Sequence, residues 1–200
     1  MKLGQEGLAI LTRLPISQHI ILNLGAQNRK AQVIHFSQSG QEYALINTHL
    51  FWQAGHTPER QKQAQMLLDY LEGLPGHIHQ ILCGDFNDTP LSPTIKLIKK
   101  KLRSAYEAKH GFEAPYTFPT PLMQAEAHQA SLAANPVLSS PFEKETETID
   151  YIFVSQGLVV HDARLTCDRP HPTNPQFYPS DHYGLLADIS PRPLSTEVGV

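Results

Sequence analysis

Two cysteines, Cys83 and Cys167, are all that the 200 residues contain. That is too few for a disulfide scaffold or for a metal site built on thiolates. Cys83 lies in the apolar run Ile81-Leu82-Cys83 and reads as a buried, unreactive thiol. No apolar run is long enough to span a membrane. No positively charged leader followed by an apolar run opens the sequence either, so cytoplasmic residence is the expectation. Positive charge is also scarce. With 16 Lys and Arg against 19 Asp and Glu, the formal net charge is -3, and the chain lacks the broad basic surface on which non-specific duplex binding depends. The one dense basic run, Lys96, Lys99, Lys100, Lys101 and Arg103, reads as a solvated helix end that complements the helix dipole. It is not evidence for a nucleic-acid substrate. No internal repeat is present.

What remains is an ordinary globular composition, 40% hydrophobic and 18% charged, enough for one domain over residues 1–190 with a frayed tail, 191–200. Leu8–Leu11, Ile20–Leu22, Val33–Phe36 and Tyr43–Ile46 are short strand-forming runs bounded by turn residues. Side-chain alternation puts Tyr43, Leu45 and Asn47 on one face, with His49 just beyond the strand end. Thr57-Pro58-Glu59 starts a helix whose core stripe is Ala64, Leu67, Leu68 and Leu71. A strand over Ile78–Cys83 delivers Asp85, and Ser92-Pro93 starts a second helix through Ile95, Ile98 and Leu102. Residues 111–148 lack periodicity and read as a loop insertion. Strands over Tyr151–Val154, Leu158–Leu165 and Tyr183–Ile189 close the chain. This order supports a layered α/β domain.

Four segments carry the chemistry: Asn47-Thr48-His49-Leu50, Gly84-Asp85-Phe86-Asn87-Asp88, Ile149-Asp150-Tyr151-Ile152-Phe153 and Ser180-Asp181-His182. Each sets hard oxygen ligands or imidazoles at the end of an apolar run, where a strand leaves its sheet. Alone, the Gly84–Asp88 word would be a strand-ending turn; four in order point to one site. Asp85 and Asp181 suit Mg²⁺, which takes oxygen ligands and keeps part of its water. Phe51, Trp52, Tyr116 and Phe118 could stack on a base or line a lipid pocket, or serve only packing.

In this order and spacing the segments resemble the endonuclease/exonuclease/phosphatase superfamily of metal-dependent phosphoesterases. Together with Ser104-Ala105-Tyr106, Tyr116-Thr117-Phe118 and Tyr178-Pro179, they are most similar to the branch that contains nocturnin, the angel proteins and the poly(A)-removing nucleases, and neutral sphingomyelinases share several of the words. The resemblance implies a four-layer α-β-β-α sandwich, two packed mixed β-sheets flanked by helices. It implies that Asp85 is a general base or metal-linked carboxylate, that Asn87 holds water or phosphate, and that Asp181 supports the metal site. His49 and His182 would contact the phosphoryl group, with Asp150 orienting one of them. The metal set is then Asp85, Asn87 and Asp181 around Mg²⁺, with Mn²⁺ as a substitute.

The implied reaction is direct attack of water on a phosphoester, with RNA or a nucleotide ahead of a phospholipid or small phosphate ester. An inactive phosphate-binding module is the alternative from another class. Relatives carry an Asn-bearing strand and a metal-binding Glu ahead of the segment similar to Glu6-Gly7-Leu8-Ala9-Ile10-Leu11. Glu6 matches the residue before that word rather than the metal-binding Glu, so an amino-terminally truncated domain is expected.

Overall fold

Alternating apolar residues build the sheet that positions the site. A computed structural model describes residues 7–53, 55–122, 146–175 and 177–193. Glu6, most of the expected insertion 111–148 and the tail from residue 194 lie outside the described residues. Six strands form a mixed sheet: β1 (Ile16–Asn23), β2 (Lys30–Gln38), β3 (Gln41–His49), β4 (His79–Asp85), β5 (Arg103–Ser104) and β6 (Asp150–Val154), in the order β1-β2-β3-β4-β6-β5. β3 and β4 run parallel, which requires a crossover, and helix α1 (Thr57–Glu72) supplies it. The other neighbours are antiparallel.

One face of this sheet presents Ala31, Val33, Ile46, Leu82, Tyr151 and Phe153 to α1 and α2 (Pro93–Lys99), forming the larger core. The opposite face carries Tyr43, Leu45, Ile81, Ile152 and Val154. These pack toward Leu158, Val160 and Ile189 of a second, two-stranded antiparallel sheet, β7 (Leu158–Thr166) and β8 (Gly184–Pro191). The result is the expected layered α/β sandwich, with helices on the large sheet and a smaller sheet against its other face.

The stripe Ala64, Leu67, Leu68 and Leu71 is buried as its spacing predicts. The helix starts differently, however: His56 occupies the cap without a side-chain bond, and the Thr57 hydroxyl lies 3.5 Å from Arg60. Ser92 caps α2 by accepting from the Ile95 N–H at 3.2 Å.

A third helix, α3 (Ala105–His110), was not legible from apolar periodicity because it is only 6 residues long. Ser104 caps it through the Glu107 N–H, Gly111 closes it at φ 81°, and Lys109 and His110 donate to the His161 and Ala163 carbonyls of β7. Leu8–Leu11, expected as a strand, joins no ladder; the Asn47 side chain donates to the Ala9 carbonyl, and Leu11 is exposed. No strand among the described residues lies beside it to exchange backbone bonds.

The basic run is more engaged than a solvated helix end. Lys99 bridges Glu107 and Glu113, Lys101 pairs with Glu72, and Arg103 donates to the Leu158 carbonyl.

Candidate active site

Backbone register brings three of the expected residues into one row. His49 ends β3, Asp85 ends β4 and Asp150 begins β6; His49 pairs with Asp85, and Asp85 pairs with Asp150. Register partners share a sheet face, so all three side chains leave on the side facing the second sheet. Gly84 makes the approach possible. Its φ is 133°, and an added Cβ would fall 1.9 Å from the Thr48 carbonyl oxygen. Beyond the strands, the Asp85 carbonyl accepts from the Leu50 N–H at 2.9 Å, and Phe86 donates to the Ile149 carbonyl at 2.8 Å. Buried Phe86 packs edge-on against Tyr151 and Phe153.

Each imidazole has a carboxylate partner. His49 Nε2 lies 3.3 Å from Asp85 Oδ2, and His182 Nδ1 lies 2.9 Å from Asp150 Oδ2. The histidine oriented by Asp150, left open by the sequence, is therefore His182. Ligand atoms of Asp85, Asp150 and His182 all lie within 4.8 Å of one another. Burial and the adjacent Asp150 charge push the Asp85 carboxyl up to about 7, against the opposing effects of the Asn87 N–H, His182 and Arg29. Burial alone would lower the His182 pKa, but its hydrogen bond to Asp150 and the charges of Asp150, Asp85 and Asp181 raise it above the usual value. Two residues back on β4, burial raises the Cys83 thiol to about 11, and it donates weakly to the Ile46 carbonyl.

Asn87 and Asp181 take different positions. The Asn87 N–H donates to Asp85 Oδ1 at 2.8 Å, while its Nδ2 donates to the Leu50 carbonyl at 3.2 Å. Asp181 is exposed, accepts from the Ser180 hydroxyl at 3.2 Å, and lies outside the three-residue cluster.

Two positioning devices escaped the sequence reading. Thr117 Oγ1 accepts from the N–H groups of both Ile149 and Asp150, while its carbonyl accepts from Tyr183. Thr120 holds the Ser180 and Asp181 carbonyls, and the Phe118 ring lies 4.6 Å from that of His182. The signal lay in Tyr116-Thr117-Phe118, whose hydroxyl mattered as much as its aromatics. Second, buried Arg60 pairs with buried Asp88 at 3.1 Å and donates to the carbonyls of Phe51 and Gln53. One turn later, Gln63 accepts from the Phe51 N–H and donates to the Leu24 and Ala26 carbonyls.

Of the four aromatic residues singled out, Phe51 and Phe118 are buried and Tyr116 packs against Tyr183. Trp52 is 58% exposed.

The donor set fits a hard divalent cation. It offers two carboxylates beside an imidazole and no thiolate, and burial together with the neighbouring Asp150 charge penalises the ionised Asp85 carboxyl, a penalty that a cation would offset.

Comparison with known proteins places the chain in a family. A family model described as "Endonuclease/Exonuclease/phosphatase family" matches residues 1–182. Nocturnin of Homo sapiens is 31% identical over 173 residues, covering 80% of this chain and 36% of nocturnin. The chain thus spans about a third of the length of that relative. The solved human nocturnin catalytic domain with bound sulfate anion superposes with a TM-score of 0.64 at 27% identity, over 90% of this chain and 61% of that one. D. rerio TDP2 complexed with single strand DNA product gives a TM-score of 0.70 at 17% identity, over 89% of this chain and 69% of the other, a likeness of fold.

Proposed function

Since this chain belongs to the endonuclease/exonuclease/phosphatase family, we propose that it is a Mg²⁺- or Mn²⁺-dependent phosphodiesterase in which water attacks phosphorus directly, with RNA or a nucleotide as substrate. The observation that carries this reading is the convergence of two carboxylate–imidazole pairs from distant segments of the chain at one end of the central strands. Nocturnin supports it, since sulfate has the shape and charge of a phosphoryl group and that relative's catalytic domain binds it.

Asp85 and Asp150 are the carboxylates that would hold the cation. When bound, the cation polarises the phosphoryl group and lowers the pKa of coordinated water. Asp85, next to His49, accepts the proton of the attacking water. In its protonated form, which the hydrogen bond to Asp150 favours, His182 donates from its other ring nitrogen to a phosphoryl oxygen and neutralises charge that grows in the transition state. Asn87 fixes the Asp85 carboxylate through its backbone N–H.

The test is hydrolysis of bis(p-nitrophenyl) phosphate. Turnover with Mg²⁺ or Mn²⁺ that saturating EDTA abolishes is expected. Equal turnover in EDTA would overturn the metal-dependent reading, and none under any condition would leave a phosphate-binding module.

A further inference from the structure

Beside the carboxylate cluster lies a cavity of about 660 Å³ that has His49 in its wall. That volume falls within the range of small-molecule sites. Its walls include Arg29, Lys30, Gln32 and Trp52, with His49 as the wall shared with the reacting centre, and among the described residues no Asp or Glu lines it. In a chain of net charge -3 this is a local concentration of positive charge.

We propose that this cavity is a nucleotide subsite: the base stacks on Trp52, and a phosphate other than the one being cleaved is held by Lys30 and Arg29. The proposal rests on the phosphodiesterase reading and deepens it, because it makes the substrate at least a dinucleotide or a nucleoside bisphosphate.

Register supports the placement. Gln32 pairs with Asn47, so alternation puts Lys30 and His49 on the same face of the sheet, each at its strand's end. A phosphate at Lys30 therefore lies one strand away from a phosphoryl group at His49.

The walls are also held in place. A main-chain hydrogen bond from Leu24 to the Arg29 carbonyl, 2.8 Å, closes the β1–β2 turn, and Gln63 ties that turn to the segment beginning at Phe51. Arg60 holds the carbonyls on both sides of Trp52, so an exposed indole stands on a fastened loop. An exposed aromatic face beside fixed cations is the recurring means of holding single-stranded nucleotides. Finally, Gln32 Oε1 is buried with no hydrogen-bond partner among the described residues. A buried acceptor left unmet is costly, and an amino or hydroxyl donor from a nucleotide would satisfy it.

Trp52 is the only tryptophan in the chain, so its fluorescence reports on this cavity alone. In EDTA, titration with adenosine 5′-monophosphate is expected to quench the emission saturably. Ribose 5-phosphate, which has no base, leaves it unchanged, and Lys30→Gln weakens nucleotide binding about 5-fold or more. In the metal-loaded protein, Trp52→Ala raises KM for a diadenosine dinucleotide about 10-fold, while Trp52→Phe restores most of the loss. Unchanged emission with the nucleotide, or equal affinity in the wild type and Lys30→Gln, would overturn the subsite. Quenching in a protein that hydrolyses no phosphodiester keeps the subsite and sinks the catalytic reading; turnover without quenching does the reverse.

Discussion

Asp85 carries the most consequence of any single residue, because it meets His49, faces Asp150 and is held by the Asn87 N–H. Asp85→Asn and His182→Ala are each expected to lower kcat by at least about 10²-fold, the scale of losing an acid-base or charge-stabilising group. KM should move less, since both act mainly in the transition state. Steady-state kinetics on folded variants, checked by circular dichroism, decide this; wild-type turnover in either would place the chemistry elsewhere. At this scale the sequence was generous: His49, Asp85, Asp150 and His182 could all be named from four short words. It could not show that Asp150 serves His182, because that pairing spans 32 positions and depends on Thr117 holding the start of β6. Nor could it set Asp181 apart from the cluster, since adjacent residues on a turn point in different directions.

At the scale of elements, α1 does more than bury apolar surface. Arg60 and Asp88 are buried together, and the guanidinium also fastens the loop after β3. Arg60→Ala would leave the Asp88 carboxylate buried without a cation, which typically costs about 3–5 kcal/mol. The Arg60→Met/Asp88→Asn pair should cost distinctly less, because no charge is stranded. Urea unfolding of the two variants checks the order. Most long elements were legible because their apolar spacing is regular, as with Ala64, Leu67, Leu68 and Leu71. The failures were local. Leu8–Leu11 has a strand's composition but no neighbour to pair with, and α3 is announced by its capping residues Ser104 and Glu107 rather than by any stripe.

Across the whole molecule, the sandwich would couple cation binding to stability. The cluster lies between the two sheets and collects residues from β4, β6 and the approach to β8. A cation bound there stabilises the folded state alone, by about 2.7 kcal/mol at 100 times its dissociation constant. For a chain of this size that corresponds to a Tm rise of roughly 5–10 °C. Mn²⁺ is expected to produce such a rise in differential scanning fluorimetry, and Asp85→Asn to abolish most of it. A shift that survives in Asp85→Asn would locate the cation elsewhere. Among the described residues no helix is long and apolar enough to cross a membrane.

The pairing of Asp85 with Asp150 across β4 and β6 gives the site an odd–even character. Losing one residue inside β6 would turn the acid from the cleft to the helix side, because successive side chains point to opposite faces. Losing two would keep the face but slide the acid about 7 Å along the strand, past any partner. Parity therefore forbids the first change and distance the second. Insertions and deletions that keep the site are therefore expected only in the connections, and within β3, β4 and β6 the ladder acts as a gauge that admits substitution but no change in count.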